Sequence, residues 1–149
     1  MLEFITFLLA PIAYAGLAIA AVRAVQQRPS PLLQRAVAAV AVAHVALVWS
    51  VRYHGQLSEA TRNGYPGFLI FHTALVAIVG AAVAAPWMAR RLLVGAFAVV
   101  TLGALGAVFR YEVVAVYQIP VMLIAVGGGI ALVRAHRVET GRGHPERVL

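Results

Sequence analysis

Five apolar runs, each close to the length at which a helix crosses a lipid bilayer, leave this chain few ways to fold. They cover Phe4–Val22, Leu33–Val51, Pro66–Ala85, Leu92–Phe109 and Val113–Val133. A membrane-crossing helix needs about 20 apolar residues to span about 30 Å of hydrocarbon. The runs are too long, and too uniformly apolar, to be the alternating strands of a membrane barrel. The sequence therefore predicts an all-α integral membrane bundle of five transmembrane helices. Residues 1–133 form its single domain, and residues 134–149 a polar, mobile tail. The first run has no positive side chain before it and is interrupted by Pro11 and Tyr14. It reads as a retained helix, not a signal peptide.

The breaks between runs are chemically marked. In "RAVQQRPSPLLQR", Pro29 and Pro31 stop one helix and start the next. In "RNGYPG", an Asn-Gly turn at Asn63–Gly64 precedes Pro66. "APWMARR" is a tight connection holding Trp87, and "RYE" at Arg110–Glu112 is a turn or a kink.

Composition narrows the chemistry. The chain is 62% hydrophobic and only 11% charged, where a soluble domain carries about a quarter charged residues. The absence of cysteine excludes disulfides, thiolate metal sites and cysteine nucleophiles. There is no lysine either, so all 12 basic residues are arginine and lysine Schiff-base chemistry is excluded. The formal charge of +7 does not imply nucleic acid, because the arginines are scattered between apolar runs.

Those arginines sort by side. If the N-terminus lies outside, the inner side receives Arg23, Arg28, Arg35, Arg90, Arg91, Arg134, Arg137, Arg142 and Arg147. The outer side receives only Arg52, Arg62 and Arg110. This positive-inside bias predicts a cytoplasmic C-terminus and a multi-pass protein of a bacterial-type inner membrane. Membrane lipids and other membrane subunits are the expected partners.

The most polar window, "VRYHGQLSEATRNGYPGFLIFH" from Val51 to His72, then falls at the outer face. His44 lies seven residues before the end of the second run and His72 six residues into the third. At 1.5 Å per residue, both sit roughly 10 Å below the outer interface. Tyr117 and Gln118 fall in the same half and join the two histidines as candidate cofactor-binding residues. A histidine within a membrane faces the bundle interior and marks a functional site by default. His44 and His72 could ligate one haem b iron, or could hold copper with His54 as a third ligand. The plainer alternative is hydrogen bonding between helices, with no cofactor: His44 to a hydroxyl or amide, His72 to Tyr117 or Gln118.

Other features read as packing. Gly95, Gly103, Gly106 and Arg110 fall near one face of the fourth helix. "GGG" at Gly127–Gly129 lacks the strand before it and the Lys-Ser/Thr after it that a phosphate loop requires. Arg52, Glu59, Arg62, Arg110 and Glu112 form either an anion port or a solvated rim. No carboxylate lies deep in a run, which weakens a transporter reading. No serine or threonine is paired with a base in a way that suggests hydrolysis, so no catalytic residue is assigned.

The run "RYHGQLSEATRNGYPGFLIFH" resembles a segment of the small bacterial membrane proteins of the CtaM type, which are linked to cytochrome oxidase assembly. The likeness lies in a tyrosine-histidine pair, Tyr53-His54, then a loop with glycine and arginine, then a tyrosine and a histidine within the next helix, His72. Two of that family's four histidines are replaced here, within "LLQR" and "PWMARR". The resemblance implies an accessory protein of a respiratory or electron-transfer complex. The alternatives are a structural subunit whose polar pocket holds helix contacts, lipid or quinone, and a small transporter.

Overall fold

The computed structural model of the chain describes residues 2–62 and 64–142. Asn63 of the expected turn, and Gly143, His144 and Arg147 of the expected tail, lie outside the described residues. Six α-helices follow in order: α1 (Leu2–Val25), α2 (Pro31–Leu47), the four-residue α3 (Leu57–Ala60), α4 (Tyr65–Ala81), α5 (Pro86–Arg110) and α6 (Gln118–Arg142). A π-helical turn at Val48–Arg52 extends α2, and a 3₁₀ turn at Glu112–Tyr117 leads into α6. There is no strand among the described residues.

Proline stands in the first turn of three of these helices, in α2 and α4 as the sequence suggests. Ser30 is extended, its Oγ accepts from the Leu33 amide at 3.4 Å, and Pro31 opens α2. This is the usual arrangement of a serine cap followed by a proline whose missing N–H costs nothing in the first turn. Gly64, at φ 97°, takes a left-handed backbone that other residues avoid, and Pro66 sits in the first turn of α4. Pro86 opens α5.

Several boundaries differ from expectation. The helix of the fourth run starts at Pro86 rather than Leu92, so Pro86–Arg91 of "APWMARR" are its first turns and not a connection. The third run folds as a 17-residue helix that stops at Ala81, short of the expected Ala85. Pro86 explains the loss, because a residue preceding proline is pushed out of helical geometry and the turn must form upstream. The fifth helix starts at Gln118 rather than Val113, since Tyr111 is extended (φ −117°, ψ 119°) and the next six residues wind as 3₁₀. At its other end α6 continues to Arg142, so residues 134–142 of the expected tail are helical. Among the described residues, four segments are long and apolar enough to cross a membrane: Glu3–Val25, Pro31–Arg52, Pro86–Arg110 and Glu112–Thr140. The α4 helix is apolar but shorter.

Side-chain pairings show that the five longer helices alternate in direction. Thr6 meets His44 and Gly16 meets Val37, so α1 and α2 are antiparallel. Trp49 meets His72, and Gly103 meets Phe71, which turns α4 and then α5. Gln118 meets Val108 and Glu139 meets Arg90, which turns α6. The alternation gathers Arg23, Arg28, Arg35, Arg90, Arg91, Arg134 and Arg137 toward one end of the bundle, and Arg52, Arg62 and Arg110 toward the other.

The interior is made of small residues. Among the described residues, eleven of the twenty buried apolar residues are alanines, with Leu17 and Leu93 the largest fully buried apolar side chains. The large apolar side chains point outward instead, including Leu32, Val76, Val83, Leu102, Val116, Ile119 and Leu123. Soluble monomers rarely expose apolar patches beyond a few hundred Å². Small residues inside and large ones outside is the pattern of helices that pack closely within lipid.

The glycines expected to line one face of α5 are not equivalent. A methyl group at Gly103 would lie 3.0 Å from both Ile70 and Phe71 of α4, whereas at Gly95 or Gly106 it would meet nothing within 4 Å. Gly103→Leu is therefore expected to destabilise the bundle by about 1–3 kcal/mol, the range for overpacking. Gly106→Leu should leave stability unchanged or slightly raised. Thermal unfolding of the two variants in detergent separates them.

Candidate functional site

The histidine end is organised by the π turn. The Tyr53 amide reaches back five residues to the Val48 carbonyl at 3.2 Å, the wider spacing that defines such a turn. Trp49, within it, faces α4, and Arg52 faces α1. The Trp49 indole N–H donates to Nε2 of His72 at 3.3 Å. The other nitrogen of His72, Nδ1, donates to the Phe68 carbonyl at 2.8 Å. An indole N–H can only donate and a carbonyl can only accept, so the partners fix the His72 proton on Nδ1. The ring also stacks on Phe68, four residues earlier, at 4.0 Å between centroids, a spacing that brings side chains together on a helix. Trp49 lies edge-on to both rings.

His44 has a different set of neighbours. Its Nδ1 donates to the Thr6 carbonyl of α1 at 2.9 Å, which again places the proton on Nδ1. Its Nε2 makes no hydrogen bond among the described residues. His54 is exposed in the turn after the π segment, with a left-handed backbone at φ 48°. Among the described residues there is no group of three or more histidine, aspartate or glutamate side chains placed to hold one metal ion. His44, His54 and His72 are thus not gathered into such a group.

The remaining candidates serve helix contacts. The Tyr117 ring packs against Phe7 of α1 at 6.3 Å. The Gln118 amide donates to the Val108 carbonyl at 3.0 Å, closing the link from α5 to α6. Neither is a hydrogen-bond partner of His72, whose partners are Trp49 and Phe68. Ser50 turns back to the Ala46 and Leu47 carbonyls. The charges form local pairs: Arg52 with Glu3 at 2.9 Å, and Arg62 with Glu59 at 3.4 Å. Arg110 lies over the Tyr111 ring at 5.6 Å.

Three partners escape a sequence reading. Thr6 and Glu3 of α1, and Thr101 of α5, carry no motif; only the folded chain brings them to His44, Arg52 and Tyr14. A second polar cluster stands at the arginine-rich end. Arg90 of α5 grips both oxygens of Glu139 of α6 at 2.6 Å, and Gln27, just beyond α1, donates to the same carboxylate at 2.9 Å. Only the spacing of Glu139 beyond the apolar run could have pointed to it.

Comparisons with protein-family models, curated proteins and solved structures find no match to this chain.

Proposed function

We propose that this chain is a non-catalytic accessory subunit of a bacterial-type inner membrane, crossing it five times with its N-terminus outside and its C-terminus in the cytoplasm. Its polar histidine end fixes the mutual arrangement of α1, α2 and α4. The observation that carries this reading is His72, both of whose ring nitrogens are engaged by the protein itself. The apolar exterior and the segregation of arginines support the membrane placement and its direction. Reporters active only in the cytoplasm should work when fused after Arg91 or at the C-terminus, and fail within Leu57–Ala60. The opposite pattern overturns the orientation.

A second reading, haem or copper bound within a respiratory or electron-transfer complex, is favoured by one detail. Both His44 and His72 send Nδ1–H to a backbone carbonyl, which leaves Nε2 as the ligating nitrogen. His44 has that nitrogen unengaged by described residues, but His72 would have to exchange the Trp49 indole for the metal. The residues therefore fit one protein ligand more readily than two.

Visible absorption and metal analysis of the detergent-purified chain test the two readings. The structural role predicts no Soret band and no stoichiometric copper. It also predicts that His44→Ala and His72→Ala each cost about 0.6–2 kcal/mol, the range for hydrogen bonds between membrane helices. The losses should add, since the two rings have separate partners. A chromophore abolished equally by either substitution would reject the structural role in favour of the cofactor.

A further inference from the structure

We infer that the arginine-rich end carries a binding groove for the headgroup of an anionic phospholipid. The inference rests on the membrane reading above but not on the histidine end. An open cavity of about 450 Å³ lies between α5 and α6 beside the end of α1. Its walls are Val25, Val94, Leu132 and Val133, and its rim is Arg90, Arg91 and His136.

The two arginines of the rim have different duties. Arg90 is committed to Glu139, so its charge is largely answered within the protein. Arg91 is exposed and makes no hydrogen bond among the described residues; its guanidinium lies over the Trp87 ring at 5.3 Å. The aromatic face holds the arginine in place, and its N–H donors make no hydrogen bond among the described residues. A phosphodiester matches those donors in geometry and charge. The valine and leucine walls match the upper part of an acyl chain, and Trp87 is of the type that sits at headgroup level. A free phosphate would use the rim and leave the apolar walls empty, so the groove fits a lipid better than an inorganic anion.

The neighbourhood keeps the site positive. The Glu139 carboxylate is held by Arg90 and Gln27, and Arg134 and Arg137 lie beside it in sequence along α6. A basic pocket between membrane helices on the cytoplasmic side is the setting in which acidic headgroups bind.

The test uses the full chain purified in detergent, with its thermal unfolding followed during titration with three probes. They are phosphatidylglycerol, phosphatidylcholine and inorganic phosphate. Phosphatidylglycerol is expected to raise the midpoint by on the order of 5 °C near saturation, with little effect from the other two. Arg91→Gln should weaken the apparent affinity about fivefold, the worth of one arginine beside an anionic surface. Arg91→Lys should recover part of the response. Because Arg91 is exposed and lies outside the Glu139 cluster, the glutamine variant should retain the parent's unfolding midpoint without lipid. Equal stabilisation by phosphatidylcholine, or by inorganic phosphate, overturns the acidic-lipid site, as does an Arg91→Gln variant that responds like the parent. A chain that requires detergent yet shows no lipid selectivity rejects the groove and leaves the membrane reading standing.

Discussion

Tyr14→Ala should destabilise the bundle by about 3–5 kcal/mol, the range for truncating a packed aromatic side chain. Tyr14 is 4% exposed, its hydroxyl lies 2.6 Å from Thr101 Oγ1, and its ring stacks on Phe97 at 5.6 Å between centroids. The cost divides unequally between ring and hydroxyl. Thr101 also donates to the Phe97 carbonyl at 2.7 Å, so removing the tyrosine oxygen leaves it with a partner. Tyr14→Phe should therefore cost only about 1 kcal/mol, the net worth of one hydrogen bond. Chemical or thermal unfolding in a single detergent orders the two variants. Equal losses would mean that the hydroxyl, not the ring, holds α1 to α5.

The second large effect belongs to the middle of three consecutive glycines. A methyl group at Gly128 would stand 2.6 Å from Phe97 Cζ and 3.3 Å from Ala18 Cβ, while at Gly127 or Gly129 it would meet nothing within 4 Å. Phe97 cannot swing aside freely, because its other neighbour is Tyr14. Gly128→Leu should thus cost about 3 kcal/mol, at or above the upper end of ordinary overpacking. Gly127→Ala and Gly129→Ala should instead stabilise α6, by up to about 1 kcal/mol each through helix propensity. Adding Phe97→Ala to Gly128→Leu should recover part of the loss, since the two side chains compete for one volume. A Gly128→Ala variant with the same unfolding midpoint as Gly127→Ala and Gly129→Ala would mean that α6 does not pack against α1 and α5 at this level.

The alternation of long helices and short breaks was readable in advance because it depends on local chemistry. Pro31, Gly64 and Pro66 act on their own backbone, and each stands where a helix begins; at "APWMARR" the break was legible, but the helix starts at Pro86 rather than Leu92. The rotation of each helix about its axis was not readable. Soluble helices betray their inner face by an apolar stripe, but these are apolar all round. Spacing alone could place Gly103 and Gly106 on one side of α5; it could not tell that only Gly103 meets α4. The same uncertainty hid the partners of the histidines. Counting residues placed His44 and His72 near one end of the bundle. Which ring turned toward Thr6 and which toward Trp49 depended on rotations that no local pattern records. The π turn is a further case, because nothing in "VWSVR" distinguishes five residues of wide helix from five of ordinary helix.

That turn makes the histidine end sensitive to length. Each residue of an α-helix advances the chain by about 100° around its axis. A π turn holds one residue of surplus, so it offsets the phase of everything that follows. Losing any one residue between Val48 and Arg52 would leave enough apolar chain to cover the same height. It would also rotate Arg52 away from Glu3 and carry the start of the connection to α4 around the bundle. Substitutions within the turn act on one side chain at a time, whereas a deletion re-aims the whole corner. Spacing between Trp49 and the start of α4 is therefore a stricter requirement at this end than the identity of most residues in between.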